Sequence, residues 1–241
     1  VRRFAYERGF LRRPVLSVPV IVVGNVNVGG TGKTPIVAWL AQQLVAMGYR
    51  PGIVSRGYGA HVHKSPALVQ SEAAEFYGDE PVLLARKTGC PVCVCIDRSR
   101  AVQRLADEGV NVVIADDGLQ HYRMRRVMEI VVVDGERGFG NGQLLPAGPL
   151  REPVTRALEA DAIVVNGPVD RVAGFQFRLE HQNFVALDGL ARSAVTDFIG
   201  RRVWAVAGIG NPQRFYRELR AAGIHVDAAD VADHATTDIV G

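Results

Sequence analysis

The sequence predicts an α/β fold, a mostly parallel sheet with helices on both faces, followed by part of a smaller second α/β domain. Three observations carry this reading. Short, continuously apolar runs alternate with helical patterns, which is how strands covered on both faces of a parallel sheet read. The polar clusters follow the ends of those runs or open the helices, and ligands of such sheets bind at the carboxyl ends of the strands. A glycine-rich loop joins the first apolar run to the first long helix.

Residues 1–18 stand apart as a basic, amphipathic segment. Arg2, Arg3, Arg12 and Arg13 alternate with Phe4, Tyr6, Phe10, Leu11 and Val15. Such a pattern suits either an interfacial segment facing anionic lipid or a surface helix packed on the core. The core domain is expected over 19–167. Its first strand is Pro19–Val23, and its first helix runs over Gly32–Met47, where Ile36, Val37, Leu40, Leu44 and Met47 recur at helical spacing and Gly48 supplies a stop. A short strand at Gly52–Ser55 leads into the loop Arg56-Gly-Tyr-Gly59 and an irregular stretch over 60–75. A helix opens at Asp79-Glu80-Pro81, where acidic residues suit the positive end of the helix dipole. Then follow a strand at Pro91–Ile96, a helix at Arg98–Glu108, and strands at Val110–Ala115, Glu129–Val133 and Ala162–Val165. Beyond Gly167 the pattern loosens, with Pro168, Gly174, Gly189 and Gly200 as breaks, until a strand at Val203–Ala207 and a helix at Gln213–Ala222. The second domain is therefore placed at 168–241. Val1 in place of Met and the ending Ile239-Val240-Gly241 are what a piece of a longer protein would show.

Composition narrows the function classes. The chain has 241 residues, 48% hydrophobic and 22% charged, with net charge +3, ordinary for a globular protein. A pI near 8.9 suits anionic ligands or an anionic membrane surface. No basic patch interleaved with aromatics points to nucleic acid. No apolar run reaches the 18 or so residues that a membrane span requires. The three cysteines, Cys90, Cys93 and Cys95, alternate with apolar residues; a buried strand with free thiols fits better than a zinc site, which needs a second ligand pair. Oligomeric state leaves no mark on the sequence.

The loop Asn27-Val28-Gly29-Gly30-Thr31-Gly32-Lys33-Thr34 is the strongest chemical signal. Backbone N–H groups of such a loop wrap phosphate oxygens. Lys33 then reaches the β- and γ-phosphates, and the Thr34 hydroxyl holds Mg²⁺, giving a P-loop NTPase-like core. Asn27 stands where the strict motif has its first glycine; Asn tolerates a left-handed backbone, so the loop is expected to turn there. Pro35 fits a first helical turn.

Two acidic pairs come next. Asp116 and Asp117 close an apolar strand, the place where phosphate-loop enzymes hold Mg²⁺. Neighbouring strand side chains face opposite ways, so both can serve the site only if the chain turns between them. The rival reading is a helix cap beside a solvated acid. Asp79-Glu80 reads either as helix-capping acids or as the source of a general base for an acceptor hydroxyl. His121 is open between a packed and a catalytic histidine. The Gly- and Pro-rich segment 137–153 ends in Arg151-Glu152, read as a phosphate contact and a metal or nucleotide contact, with a surface ion pair as the rival.

Taken together and in order, Gly-Gly-Thr-Gly-Lys-Thr-Pro35, Ser55-Arg-Gly-Tyr-Gly59, Gly78-Asp-Glu-Pro81, Asp116-Asp-Gly-Leu-Gln-His-Tyr122, Phe139-Gly-Asn-Gly142 and Leu145-Pro-Ala-Gly-Pro-Leu-Arg-Glu152 resemble the tetraacyldisaccharide 4′-kinase family, from about residue 15 onward. The resemblance implies ATP and Mg²⁺ as cofactors and a lipid A disaccharide precursor as acceptor, phosphorylated on its 4′-hydroxyl at the cytoplasmic face of the bacterial inner membrane. It implies Asp79 as general base, with His234 of Ala232-Asp233-His234 assisting. Lys33, Thr34, Asp116, Asp117 and Glu152 are implied at the phosphate and metal site, and Arg151 at the transferring phosphate. The family has a longer hydrophobic N-terminal helix and a C-terminal portion running past the position of Gly241. The competing reading of the loop and acids is an ATPase acting as a metal-delivery or assembly switch, with no phosphoryl transfer to lipid.

Overall fold

A computed structural model describes residues 2–57, 64–70, 73–168, 170–180, 183–187, 189–208 and 212–230. The chain divides into two compact units, Val1–Phe177 and Arg178–Gly241.

The first unit opens with helix α1 (Arg2–Glu7). Its elements then run β1 (Val20–Gly24), α2 (Lys33–Ala46), β2 (Pro51–Ser55), β3 (Ala67–Leu68), α3 (Ala74–Tyr77), α4 (Asp79–Thr88) and β4 (Val92–Val94), followed by α5 (Arg98–Asp107), β5 (Val112–Asp116), β6 (Met128–Asp134), α6 (Val154–Leu158), β7 (Ala162–Asn166) and β8 (Phe175–Phe177). Eight strands form one sheet in the order β3-β4-β2-β5-β1-β6-β7-β8. Every neighbouring pair is parallel except β3–β4. The mostly parallel sheet is the one the apolar runs predict: β2 and β5 are buried at every position. One core layer packs Val22, Val54, Val113, Leu105 and Leu119; the other packs Val23, Ile36, Val37, Ile53, Ile114 and Leu84. The cysteines are buried and free.

β1 lies between β5 and β6. Val23 pairs with Asp116 on one side and Ile130 on the other, so the loops leaving β1, β5 and β6 rise together at the carboxyl edge, where an open parallel sheet forms its ligand crevice.

The first unit reaches Phe177, ten residues past the break read at Gly167. Residues 170–174 form no strand, but Phe175–Phe177 return to pair with β7 and extend the sheet. Three residues without alternation carry too little pattern to announce a strand.

The second unit holds an antiparallel pair, β9 (Asn183–Val185) and β10 (Arg192–Ala194), a 3-10 turn at Val195–Phe198, and a parallel pair, β11 (Arg202–Ala207) and β12 (His225–Asp230), connected by α7 (Pro212–Ala221). Val195, Ala205, Ala207, Tyr216, Leu219 and Ile224 make its core.

Candidate phosphate and metal site

The glycine loop lies between β1 and α2. Gly29 and Gly32 take positive φ, 86° and 90°, which glycine adopts without steric penalty. A Cβ on Gly32 would stand 2.5 Å from the Asn166 amide nitrogen, so a side chain there would be strained and would have to displace Asn166. The loop is pinned from inside. Asn25 donates to the Thr31 hydroxyl at 3.3 Å, and Asn166, at the end of β7, donates to the Thr31 carbonyl at 3.2 Å.

The expected turn at Asn27 is not made. Among the described residues only Asp117 has positive φ without being glycine. Asn27 instead bridges Leu150 in strand-like fashion, and its amide donates to the Gly138 carbonyl at 3.1 Å. A strap from the Gly- and Pro-rich segment lies along the loop: Val28 N–H donates to Pro149 O at 2.8 Å and Arg151 N–H to Val26 O at 2.7 Å. The off-pattern residue is a strap anchor, which explains an amide there in place of glycine. The same strap carries Arg151 to the loop, and Arg137 donates to the Gly30 carbonyl.

Asp116 and Asp117 are separated by the expected turn. Asp116 ends β5, buried, while Asp117 has φ 47°. The next N–H, of Gly118, returns to the Val23 carbonyl at 3.2 Å. Asp117 faces two cations, Lys33 Nζ at 3.4 Å and Arg151 Nη1 at 3.1 Å. Burial pushes its carboxyl up, but Lys33 and Arg151 outweigh that and hold it below the usual carboxylate range. Asp116 is in the opposite state. Burial, together with the charges of Glu80 and Asp117 and against that of Lys33, raises it to about 7, and its Oδ1 is buried with no hydrogen-bond partner.

Sequence names Glu80 only as a member of the acidic pair Asp79-Glu80 and leaves its role open. The Thr34 hydroxyl donates to Glu80 Oε1 at 3.3 Å, because α4 packs on α2. Asp79, its neighbour at the start of α4, is exposed. Glu152 is engaged behind the site: Tyr122 Oη donates to its Oε1 at 2.6 Å, and Arg156 Nε pairs with its Oε2 at 3.4 Å. Burial and the bond to Glu152 push the Tyr122 phenol up to about 12. His234 lies outside the described residues.

These donors suit Mg²⁺. Among the described residues no three His, Cys, Asp or Glu side chains are placed to cage an ion. Mg²⁺ at phosphoryl-transfer sites takes one or two protein oxygens, with phosphates and water completing its octahedron. The unpartnered Asp116 Oδ1 and the Thr34 hydroxyl are such oxygens.

The family model for tetraacyldisaccharide-1-P 4′-kinase, LpxK, matches residues 1–238. The tetraacyldisaccharide 4′-kinase of Methylobacillus flagellatus is 48% identical over 237 residues, covering 97% of this chain and 71% of that protein. The enzyme of the same name from Alkalilimnicola ehrlichii is 50% identical over 236 residues, with the same coverage. A crystal structure of LpxK from Aquifex aeolicus in complex with ATP superposes with TM-score 0.80 at 30% identity, covering all of this chain and 79% of that one. The glycine loop, its strap and the paired aspartates thus sit in a chain that belongs to the tetraacyldisaccharide 4′-kinase family.

Proposed function

We propose that this chain transfers the γ-phosphoryl group of ATP to the 4′-hydroxyl of tetraacyldisaccharide 1-phosphate, giving lipid IVA. The observation that carries the reading is the meeting of Lys33, Asp117 and Arg151 at the mouth of the glycine loop, in a chain of this family. The ATP complex of the Aquifex aeolicus relative supports the nucleotide assignment.

The residues divide the work. Backbone N–H groups of residues 29–34, at the start of α2, cradle the triphosphate, helped by the helix end's roughly +0.5 charge. Lys33 and Arg151 are held close to one acid, so both cations stay where charge on the transferring oxygens must be neutralised. Thr34, Asp116 and Asp117 would hold Mg²⁺, with Glu80 bonded to the Thr34 hydroxyl. Mg²⁺ held there would supply positive charge against that of the phosphate oxygens. Glu152 serves the same site through the strap. Asp79 accepts the proton of the 4′-hydroxyl as that oxygen attacks, assisted by His234.

The acceptor places the enzyme at an anionic membrane surface, and we assign it to the cytoplasmic face of the bacterial inner membrane. Among the described residues no helix is long and apolar enough to cross a membrane. Support for surface attachment comes from the first segment, where Phe4, Phe10, Leu11 and Val15 are exposed beside arginines.

The deciding experiment incubates the protein with γ-labelled ATP and the disaccharide lipid. Label in the lipid is expected. Label released only as free phosphate would assign the chain to the ATPase-switch class instead.

A further inference from the structure

Arg98 is the first residue of α5 and is 5% exposed. Arginine is seldom buried this far without a partner. Its Nη1 donates to the backbone carbonyl of Asp117 at 2.7 Å, the short distance of a charge-assisted bond. Burial works against its charge, and the nearby carboxylates of Asp117 and Asp116 offset part of that penalty.

The carbonyl it holds belongs to the single described non-glycine residue with positive φ. A left-handed backbone is unfavourable for a residue with a Cβ and persists where the surroundings impose it. The surroundings do so here. Gly118 is seated so closely that a Cβ would lie 3.0 Å from Ala115 Cβ and 3.2 Å from Val22 Cγ1. Leu119 presses on Gly24, where a Cβ would stand 2.6 Å from its own. The start of α5 is itself fixed: Asp97 Oδ1 accepts from Ser99 N–H at 3.1 Å, while Asp97 Oδ2 pairs with Arg123 at 3.0 Å. Arg98 therefore acts from an anchored base.

The turn has one functional consequence. Without it, Asp117 would continue β5 and face the side opposite Asp116. With it, the Asp117 carboxylate reaches Lys33 and Arg151 while its carbonyl points back to Arg98.

We propose that Arg98 is a positioning residue for phosphoryl transfer: by holding the Asp117 carbonyl it keeps that residue left-handed, and so aims the Asp117 carboxylate at Lys33 and Arg151. The inference rests on the proposed role of Asp117 at the phosphate site. Arg98 acts through the bond from its Nη1 to the Asp117 carbonyl.

The test is a double-mutant cycle, because residues acting through one another are non-additive. Arg98→Met is made in the parent and in Asp117→Gly. Glycine adopts positive φ unaided and has no carboxylate to aim. In the parent, Arg98→Met is expected to lower kcat for lipid phosphorylation at least tenfold, with KM for the lipid changed less than twofold. In the Asp117→Gly background it should change kcat less than twofold. An equal loss in both backgrounds, or no loss in the parent, overturns the proposal. If Arg98→Met lacks the parent's circular dichroism and thermal transition, Arg98→Lys is read in the same two backgrounds by the same criteria. The cycle is repeated on MgATP dissociation constants by calorimetry. Should no variant or parent label the lipid, the kinase reading has failed; a coupled calorimetric cycle would still support the Arg98–Asp117 lever, and an additive one would reject it.

Discussion

A buried acid with an unpartnered oxygen makes a pH-dependent statement about stability. The Asp116 carboxyl is raised to about 7 by burial and by the charges of Glu80 and Asp117, against roughly 3.9 in an unfolded chain. Between those values the folded protein keeps a proton that the unfolded chain releases. The associated stability is full below the unfolded pKa and is lost as pH rises through the folded one. Nucleotide-free Asp116→Asn should therefore melt above the parent at pH 8, by no more than about 4 kcal/mol, with the gap narrowing steadily toward pH 4. Saturating MgATP should reverse the order at pH 8, since only the carboxylate gains from the cation. A gap independent of pH would show that Asp116 ionises normally. The neighbouring acids make a different prediction: Asp79→Ala should lower turnover by ~10²–10⁴ while leaving the MgATP dissociation constant within twofold, whereas Lys33→Ala should damage both. Retained turnover in Asp79→Ala would remove the general base from the mechanism. Lys33, Thr34, Asp116 and Asp117 could be picked out in the sequence as candidates because the chemistry proposed for them follows from position beside a strand end and a glycine loop. The contact of Glu80 with Thr34 could not, because it spans 46 positions and exists only once α4 packs on α2.

Among the elements, the turn after β5 and the strap over the glycine loop define the site, and their tightness can be measured. Gly24 ends β1 beneath Leu119. Gly24→Ala forces a Cβ to 2.6 Å from Leu119 Cβ and 3.0 Å from its backbone nitrogen, an overpacking that typically costs ~1–3 kcal/mol. Gly48 closes α2 at φ 84° with nothing within 4 Å of an added Cβ. Gly48→Ala should lose only the left-handed penalty of roughly 1–2 kcal/mol and leave MgATP binding unchanged. Gly24→Ala should lose stability and nucleotide affinity together, because the displaced turn carries Asp117. Urea denaturation and calorimetry on the two variants separate these outcomes; equal, full affinity in both would show that the turn tolerates displacement. The strands were readable as apolar runs, and the strap as a Gly- and Pro-rich segment. What the strap does was not readable: Asn27 binds Gly138, 111 positions away, and a sequence motif records only that glycine is missing.

At the scale of the molecule, the sheet was legible because a strand buried on two faces announces itself, whereas the three-residue strand Phe175–Phe177 carries too little pattern to do so. The proposed surface attachment depends on neither. The first segment combines exposed apolar side chains, Phe10 at 75% and Val15 at 83%, with arginines that differ in availability. Arg3 is paired with Glu159, and Arg13 lies over the Tyr6 ring at 5.9 Å. Arg12 is exposed. A basic residue close to an anionic surface contributes about 1 kcal/mol, so replacing Arg2, Arg3, Arg12 and Arg13 with Gln should weaken binding to phosphatidylglycerol vesicles by ~10²–10³. Arg3→Gln alone should do less than Arg12→Gln, because Arg3 already spends its charge on Glu159. Binding should also weaken between low salt and 0.5 M, where the screening length falls well below ~10 Å, and the residual affinity should disappear when Phe10 and Val15 are changed to Ser. Vesicle sedimentation of these variants measures both contributions separately. If the four-arginine variant sediments like the parent at low salt, the segment is a packed surface helix, and the acceptor lipid must be drawn to the site by another face.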